Sequence, residues 1–267
     1  MIVAHTPDVD DAFMFYAMTV GKIPTRLKIE HFIEDIETLN KMAFECMLDV
    51  TALSVHAYAY ISDKYKILSS GSSVGDGYGP IVVSRENIDL EGKSIAIPGR
   101  FTTANLILKL ALDKFKPVEM KFDEILDAVR RGVVDAGLVI HEGQITFESY
   151  GLVKVLDLWE FWNDLTGLPL PLGVNVIRKH IPREDQGEFL RVMRESVVYA
   201  LENVDEALDY AMRYSRIERN VARRFALMYV NEYTVEMPPK VLRAIEKLFE
   251  IAEERGILKK PKLDVLF

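Results

Sequence analysis

Asp135-Ala136-Gly137-Leu138-Val139-Ile140-His141-Glu142-Gly143 reads as a short apolar strand, Asp135 to Ile140, that runs directly into a histidine. In open α/β sheets, ligands gather beyond the carboxyl ends of the strands. His141 therefore stands where an imidazole can act as a general acid or base. A packed or capping histidine is the alternative, and three other polar clusters expected at the same place weigh against it.

Working outward, this strand closes a β-α-β-α-β unit. Ser94 to Pro98 is a strand, and Thr103 to Phe115 a helix with Leu106, Ile107, Leu110 and Ala111 facing inward. Val118 to Phe122 is a strand, and Asp123 to Arg131 a helix closed by Gly132. The same order stands earlier in the chain. Ile2 to His5, Leu27 to Ile33 and Val50 to Leu53 are strands, separated by helices over Asp11 to Val20 and Asp35 to Leu48. Such alternation predicts parallel sheets with right-handed crossovers.

Gly79 to Ser84 and Leu168 to Ile177 read as bridges between the two units. The segment after about Arg183 reads as helices over Phe189–Asn203, Asp205–Tyr214, Asn220–Tyr229 and Pro239–Glu254 that pack back on the first unit. The expected architecture is a two-lobed α/β fold, each lobe a mostly parallel sheet flanked by helices, with a ligand cleft between them. Lobe one is expected over residues 1–83 and 175–267, and lobe two over 84–174.

Composition narrows the function. The 267 residues carry 33 basic and 41 acidic side chains, a net charge of −8, and 49% are hydrophobic. That balance speaks against nonspecific nucleic-acid binding and for a small-molecule partner. The single cysteine, Cys46, allows no intrachain disulfide and is read as structural. No secretory leader and no apolar run of membrane-spanning length are recognised, so a cytoplasmic location without membrane contact is expected.

The topology places several polar residues at the cleft. Asp10 and Asp11 precede an apolar helix; capping accounts for at least one, leaving one for substrate. With Asp8 they also form a set of hard oxygens that a metal could use, although nothing else completes a metal motif and none is expected. Ser54 ends the third strand. Thr102 and Thr103 open a helix after Pro98-Gly99, where free N–H groups can hold an anion. Asn40 lies on the apolar stripe of its helix with Ile36 and Phe44, so its amide either ties two elements together or touches ligand.

Other features carry less. The glycines in Ser73-Val74-Gly75-Asp76-Gly77-Tyr78-Gly79-Pro80 lack the strand-before, helix-after context of a dinucleotide loop and read as a hinge. Trp159 and Trp162 read as packing at the helix edge of lobe two.

Together these residues resemble one family. Thr6-Pro7-Asp8-Val9-Asp10-Asp11-Ala12-Phe13-Met14-Phe15-Tyr16-Ala17 is similar to the opening motif of the 1,4-dihydroxy-6-naphthoate synthases of the futalosine route to menaquinone. The likeness continues at Glu34 to Asn40, Pro98 to Ala104, Ile140-His141-Glu142 and Thr166 to Gly173.

The resemblance implies a fold like the type II periplasmic binding proteins, used as an enzyme. It implies conversion of cyclic de-hypoxanthine futalosine to 1,4-dihydroxy-6-naphthoate, a carbon–carbon lyase reaction, with His141 as base. Substrate contacts are implied at Asn40, at Ala52, Leu53 and Ser54, at Thr103 and Ala104, and beside the base at Ile140. Aromatisation supplies the driving force, so no cofactor or metal is implied, and the partner is a small aromatic carboxylate.

Many relatives carry Ser-Pro-Cys-Pro-Asn-Asp-Thr-Phe where this chain has Thr6 to Phe13. Here Asp10 replaces an amide donor and Ala12 a hydroxyl, which leaves the contacts on that side open. Two alternatives stand beside the lyase. One is a chorismate dehydratase of the same pathway; the other is a noncatalytic organic-acid binding protein, which has no need of His141.

Overall fold

The computed structural model describes residues 1–215 and 217–267. In chain order the elements are β1 (Ile2–His5), α1 (Val9–Thr19), β2 (Glu30–Ile33), α2 (Ile36–Phe44), β3 (Val50–Ser54), α3 (Val55–Tyr58), β4 (Tyr65–Leu68), β5 (Ser73–Gly75) and β6 (Ile81–Ser84). Then come β7 (Ser94–Ile97), α4 (Thr103–Ala111), β8 (Lys116–Glu119), α5 (Ile125–Arg130), β9 (Ala136–Val139), α6 (Gly143–Thr146), β10 (Val153–Asp157), α7 (Leu158–Thr166) and β11 (Leu170–Arg178). The C-terminal part holds α8 (Arg183–Glu202), α9 (Val204–Ala211), α10 (Arg219–Tyr229), α11 (Glu232–Val235), α12 (Pro239–Glu254) and β12 (Val265–Leu266).

Two sheets result. The first runs β12-β4-β11-β3-β1-β2, with β5 also on β11; the second runs β10-β6-β9-β7-β8. The β-α-β-α-β units are parallel in both: β1 pairs with β2 and β3, and β7 with β8 and β9. Antiparallel pairs enter with the crossover strands, β11 on β3, β4 and β5, and β6 on β9 and β10. The bridging segments are thus full sheet members.

The sheets also divide the chain earlier than the expected boundaries. Ile81 already pairs with Val139 in the second sheet, and Leu170 pairs with Gly75 in the first. A crossover strand is apolar throughout and can be assigned to a lobe only by its partners.

Central strands are buried on both faces, as for β3 with every residue from Val50 to Ser54 covered. Helix α1 is buried from Val9 to Met18, because it lies against α8, α9 and α10. Helices α7 and α12 carry their apolar residues on one stripe; α12 lies against β11 of the first sheet, and α7 packs on α4 and reaches β11 and β6.

Element ends moved where local chemistry intervened. The helix expected to reach Phe115 stops at Ala111: Leu112 is extended, and the Glu91 carboxylate takes the N–H groups of Asp113 and Lys114. The following strand starts earlier than read, at Lys116, and is exposed throughout with Pro117 inside it, as suits a sheet edge. Cys46 lies past the end of α2 with φ 56°, and its carbonyl accepts from Arg178. Trp162 is buried, and its indole N–H donates to the Pro169 carbonyl at 2.9 Å. No described helix is long and apolar enough to cross a membrane.

Candidate active site

A cavity opens where strand ends of the two sheets meet. Its wall includes Thr6, Asp10 and Asp11 after β1, and Ala52, Leu53 and Ser54 of β3. From the other sheet come Thr102, Thr103 and Ala104 at the start of α4, and Ile140 and His141 after β9. Strand β11 adds Leu172 to Asn175, and α10 adds Phe225 and Tyr229. Every site residue expected from sequence lines this cavity except Asn40.

Asn40 is completely buried behind the wall. Its amide nitrogen donates to Ser54 Oγ and its oxygen accepts from Ser54 N, both at 3.0 Å. Of the two roles open to it, the structure gives it the tie between elements, holding Ser54 at the cavity edge.

The first turn of α1 sorts its acids. Asp11 Oδ2 accepts from Thr6 N at 2.8 Å, which closes the β1–α1 turn. Asp10 has a buried oxygen, Oδ1, with no partner. Burial, reinforced by Asp11 and Asp8, holds its carboxyl well above the usual range. Asp8, at the N-cap, makes no cap bond; its Oδ2 lies 3.2 Å from His141 Nδ1. Among the described residues, no three or more His, Cys, Asp or Glu are grouped to hold a metal ion.

Helix α4 presents the opposite chemistry. Thr102 caps it, accepting from Asn105 N and donating to Gly99 O. The Thr103 hydroxyl donates to the Leu172 carbonyl at 2.5 Å and accepts from His56 N at 3.2 Å, so it pins α4 to β11 and α3. No acid stands in the first turn, and its leading N–H groups are the kind an anion takes.

His141 has φ 56°, a left-handed conformation that costs a non-glycine residue about 1–2 kcal/mol. The edge of Phe122 packs on its ring at 4.9 Å. Gln144, with its amide oriented so that both ends find partners, accepts from His141 N at 3.3 Å and donates to Gly79 O at 2.8 Å and Tyr229 Oη at 2.9 Å. Burial pulls the imidazole below its ordinary pKa against the nearby Glu142, Asp11 and Asp35 carboxylates, so it is neutral near pH 7. Its Nε2 has no partner.

The family model described as menaquinone biosynthesis matches residues 1–254. The chain belongs to the menaquinone biosynthesis family. It is 42% identical over 259 residues to the 1,4-dihydroxy-6-naphthoate synthase of Thermus thermophilus, covering 94% of this chain and 93% of that protein. Its fold superposes on a solved Archaeoglobus fulgidus protein with a TM-score of 0.95 at 62% identity, over 96% of this chain and 98% of that one. At 13% identity it also matches, with a TM-score of 0.67 over 100% and 98% of the two chains, a Candida albicans protein described as having the generic periplasmic binding protein fold. The two-lobed α/β architecture is therefore that of the periplasmic binding proteins, here in a menaquinone biosynthesis protein.

Some wall residues of this family member escaped the sequence reading. Gln144 and Tyr229 meet across the cleft, and Tyr229 is buried although it lies in helices expected only to pack. Its place at the end of the inward stripe of α10 was the available signal.

Proposed function

We propose that the protein converts cyclic de-hypoxanthine futalosine to 1,4-dihydroxy-6-naphthoate by carbon–carbon bond cleavage, with His141 as the base. The observation that carries this reading is a neutral, largely buried imidazole with a bare Nε2 beside an acid-free helix N-terminus in one cleft. Such an imidazole can remove a carbon-bound proton without first losing one of its own. The substrate carboxylate sits on the N–H groups of Thr103 and Ala104. Ala52, Leu53, Ile140 and Leu172 give the ring an apolar wall, and Asp10 supplies an unspent polar atom on the far side. Closure of the lobes sheds water from the reacting atoms, which keeps reactive intermediates from hydrolysis. A cytoplasmic location goes with this reading, since the substrate is a biosynthetic intermediate.

The test is incubation with cyclic de-hypoxanthine futalosine and mass spectrometry for 1,4-dihydroxy-6-naphthoate. Product from wild type and none from a folded His141→Ala variant is the expected outcome. A folded wild type that binds the product but makes none overturns the lyase reading. Chorismate would then be assayed for loss of water, and binding without turnover of either compound would leave a solute-binding role.

A further inference from the structure

Asp8 is the N-cap residue of α1, yet its side chain makes no cap hydrogen bond. Its carboxylate points elsewhere: Oδ2 lies 3.2 Å from His141 Nδ1, with the Asp8 side chain 4% exposed and that of His141 16%. Asp8 follows β1 in the first sheet and His141 follows β9 in the second, so the pair spans the cleft. The ring is held on its other sides as well, by Phe122 against its face and by the strained backbone at His141.

We propose that Asp8 is the positioning residue of the base: from the opposite lobe it accepts a hydrogen bond from Nδ1–H of His141, leaves Nε2 as the basic nitrogen, and makes the base competent only in the closed cleft. The proposal rests on the reading of His141 as base. In the working form Asp8 is ionised, Nδ1 carries hydrogen and Nε2 is bare. The substrate proton then lands on Nε2, and the buried imidazolium so formed is balanced by the Asp8 carboxylate. Without that partner the new charge would be buried and unpaired, a costly state. A carboxylate behind the histidine serves the same purpose in catalytic triads.

The surroundings tune the pair. Glu142, Asp11 and Asp35 add negative potential at both groups, and Asp10 stands in the same cluster. Burial pushes the Asp8 carboxyl up, with Glu142 next in effect. The pair therefore binds a proton more readily than the buried imidazole alone, and the acid limb of activity reports loss of that proton.

Asp8→Asn separates positioning from scaffolding. It is expected to lower kcat about 10²-fold, in the range of general acid–base effects, with KM within about twofold. Its acid limb moves to lower pH, because the imidazole alone resists protonation. In His141→Ala, adding Asp8→Asn should cost nothing more.

A wild-type kcat and an unmoved acid limb in Asp8→Asn, with His141→Ala inactive, overturns the Asp8 proposal and leaves the base standing. Turnover by His141→Ala overturns the base itself. Nitrogen-15 NMR of product-bound wild type, above the acid limb, tests the proposal without a variant. With the His141 signals assigned by difference against His141→Ala, hydrogen on Nδ1 is expected, and hydrogen on Nε2 overturns it.

Discussion

In each lobe the first strand of the β-α-β-α-β unit hands over to a helix at the cleft, and the two handovers carry opposite chemistry. In the first, β1 leads into α1 with Asp10 and Asp11 in its first turn and Asp8 at its cap. In the second, β7 leads into α4, capped by a threonine and free of acid in its first turn. The acids at the start of α1 meet the backbone N–H of Thr6 in the preceding turn and the imidazole across the cleft. The hydroxyls of α4 are spent on Gly99, Asn105, Leu172 and His56, so its leading N–H groups are left for an anion. One supersecondary unit, used twice, thus makes one wall rich in carboxyls and one wall of uncovered N–H groups.

Making α4 resemble α1 should break the contrast most strongly. Ala104→Asp places a carboxylate where the substrate carboxylate would sit, and like charges at a desolvated contact cost several kcal/mol. Calorimetric affinity for 1,4-dihydroxy-6-naphthoate should fall by about 100-fold, while Ala104→Asn, similar in size and uncharged, should lose much less. Equal losses in both would mean that shape rather than charge matters at this turn.

The supports of the first wall can be tested next. Asn40→Ala removes both bonds to Ser54 and leaves the Ser54 N–H without its acceptor. Thermal or urea unfolding should show a loss of about 1–3 kcal/mol. A neutral result would mean that a water replaces the amide.

Acid should distinguish the lobes as well. His5, His31 and His56 all belong to the first sheet and its helices, and burial lowers each to about 4 from 6.5. Their folded values lie below the unfolded one, so the stability they contribute is complete above pH 6.5 and is lost as pH falls toward 4. The raised carboxyls of Asp8 and Asp10 work the other way, favouring the fold at low pH and weakening it as pH rises above 4. Hydrogen exchange corrected for intrinsic rates should therefore show β1 and β2 losing protection before β7 and β9 between pH 6.5 and 4.5. The reverse order would mean that relief of the aspartates outweighs the histidines.

The smallest effect is expected at the rim. Lys41 of the first lobe and Arg100 of the second share Glu119 at 3.1 and 3.0 Å, but both cations are more than half exposed. Glu119→Gln should change unfolding free energy by less than about 1 kcal/mol. A larger loss would make this surface pair part of what holds the lobes together.

Much of this was legible along the chain. Ser94 to Ile97 and Pro239 to Glu254 stand where strand runs and helical stripes put them, because both signals lie within one element. His141 announced itself by ending an apolar strand. Thr103 to Phe115 overran, because its stop depends on the Glu91 side chain across a turn. Asn40 showed that it had a partner but not which. Asp8 showed only as one of three neighbouring hard oxygens, and nothing local revealed that its carboxylate lies 3.2 Å from an imidazole that follows a strand of the other sheet.

By itself the sequence determined the two β-α-β-α-β units, the helices that follow, and the candidate groups at the strand ends. Those follow from periodicity, turn residues and polarity, which act over a few residues at a time. Only the tertiary structure decided which lobe each crossover strand joins, that Tyr229 reaches Gln144, and that Asp8 meets the ring of His141. Those meetings depend on how two separately built lobes are set against each other, and no spacing between positions 8 and 141 encodes that distance.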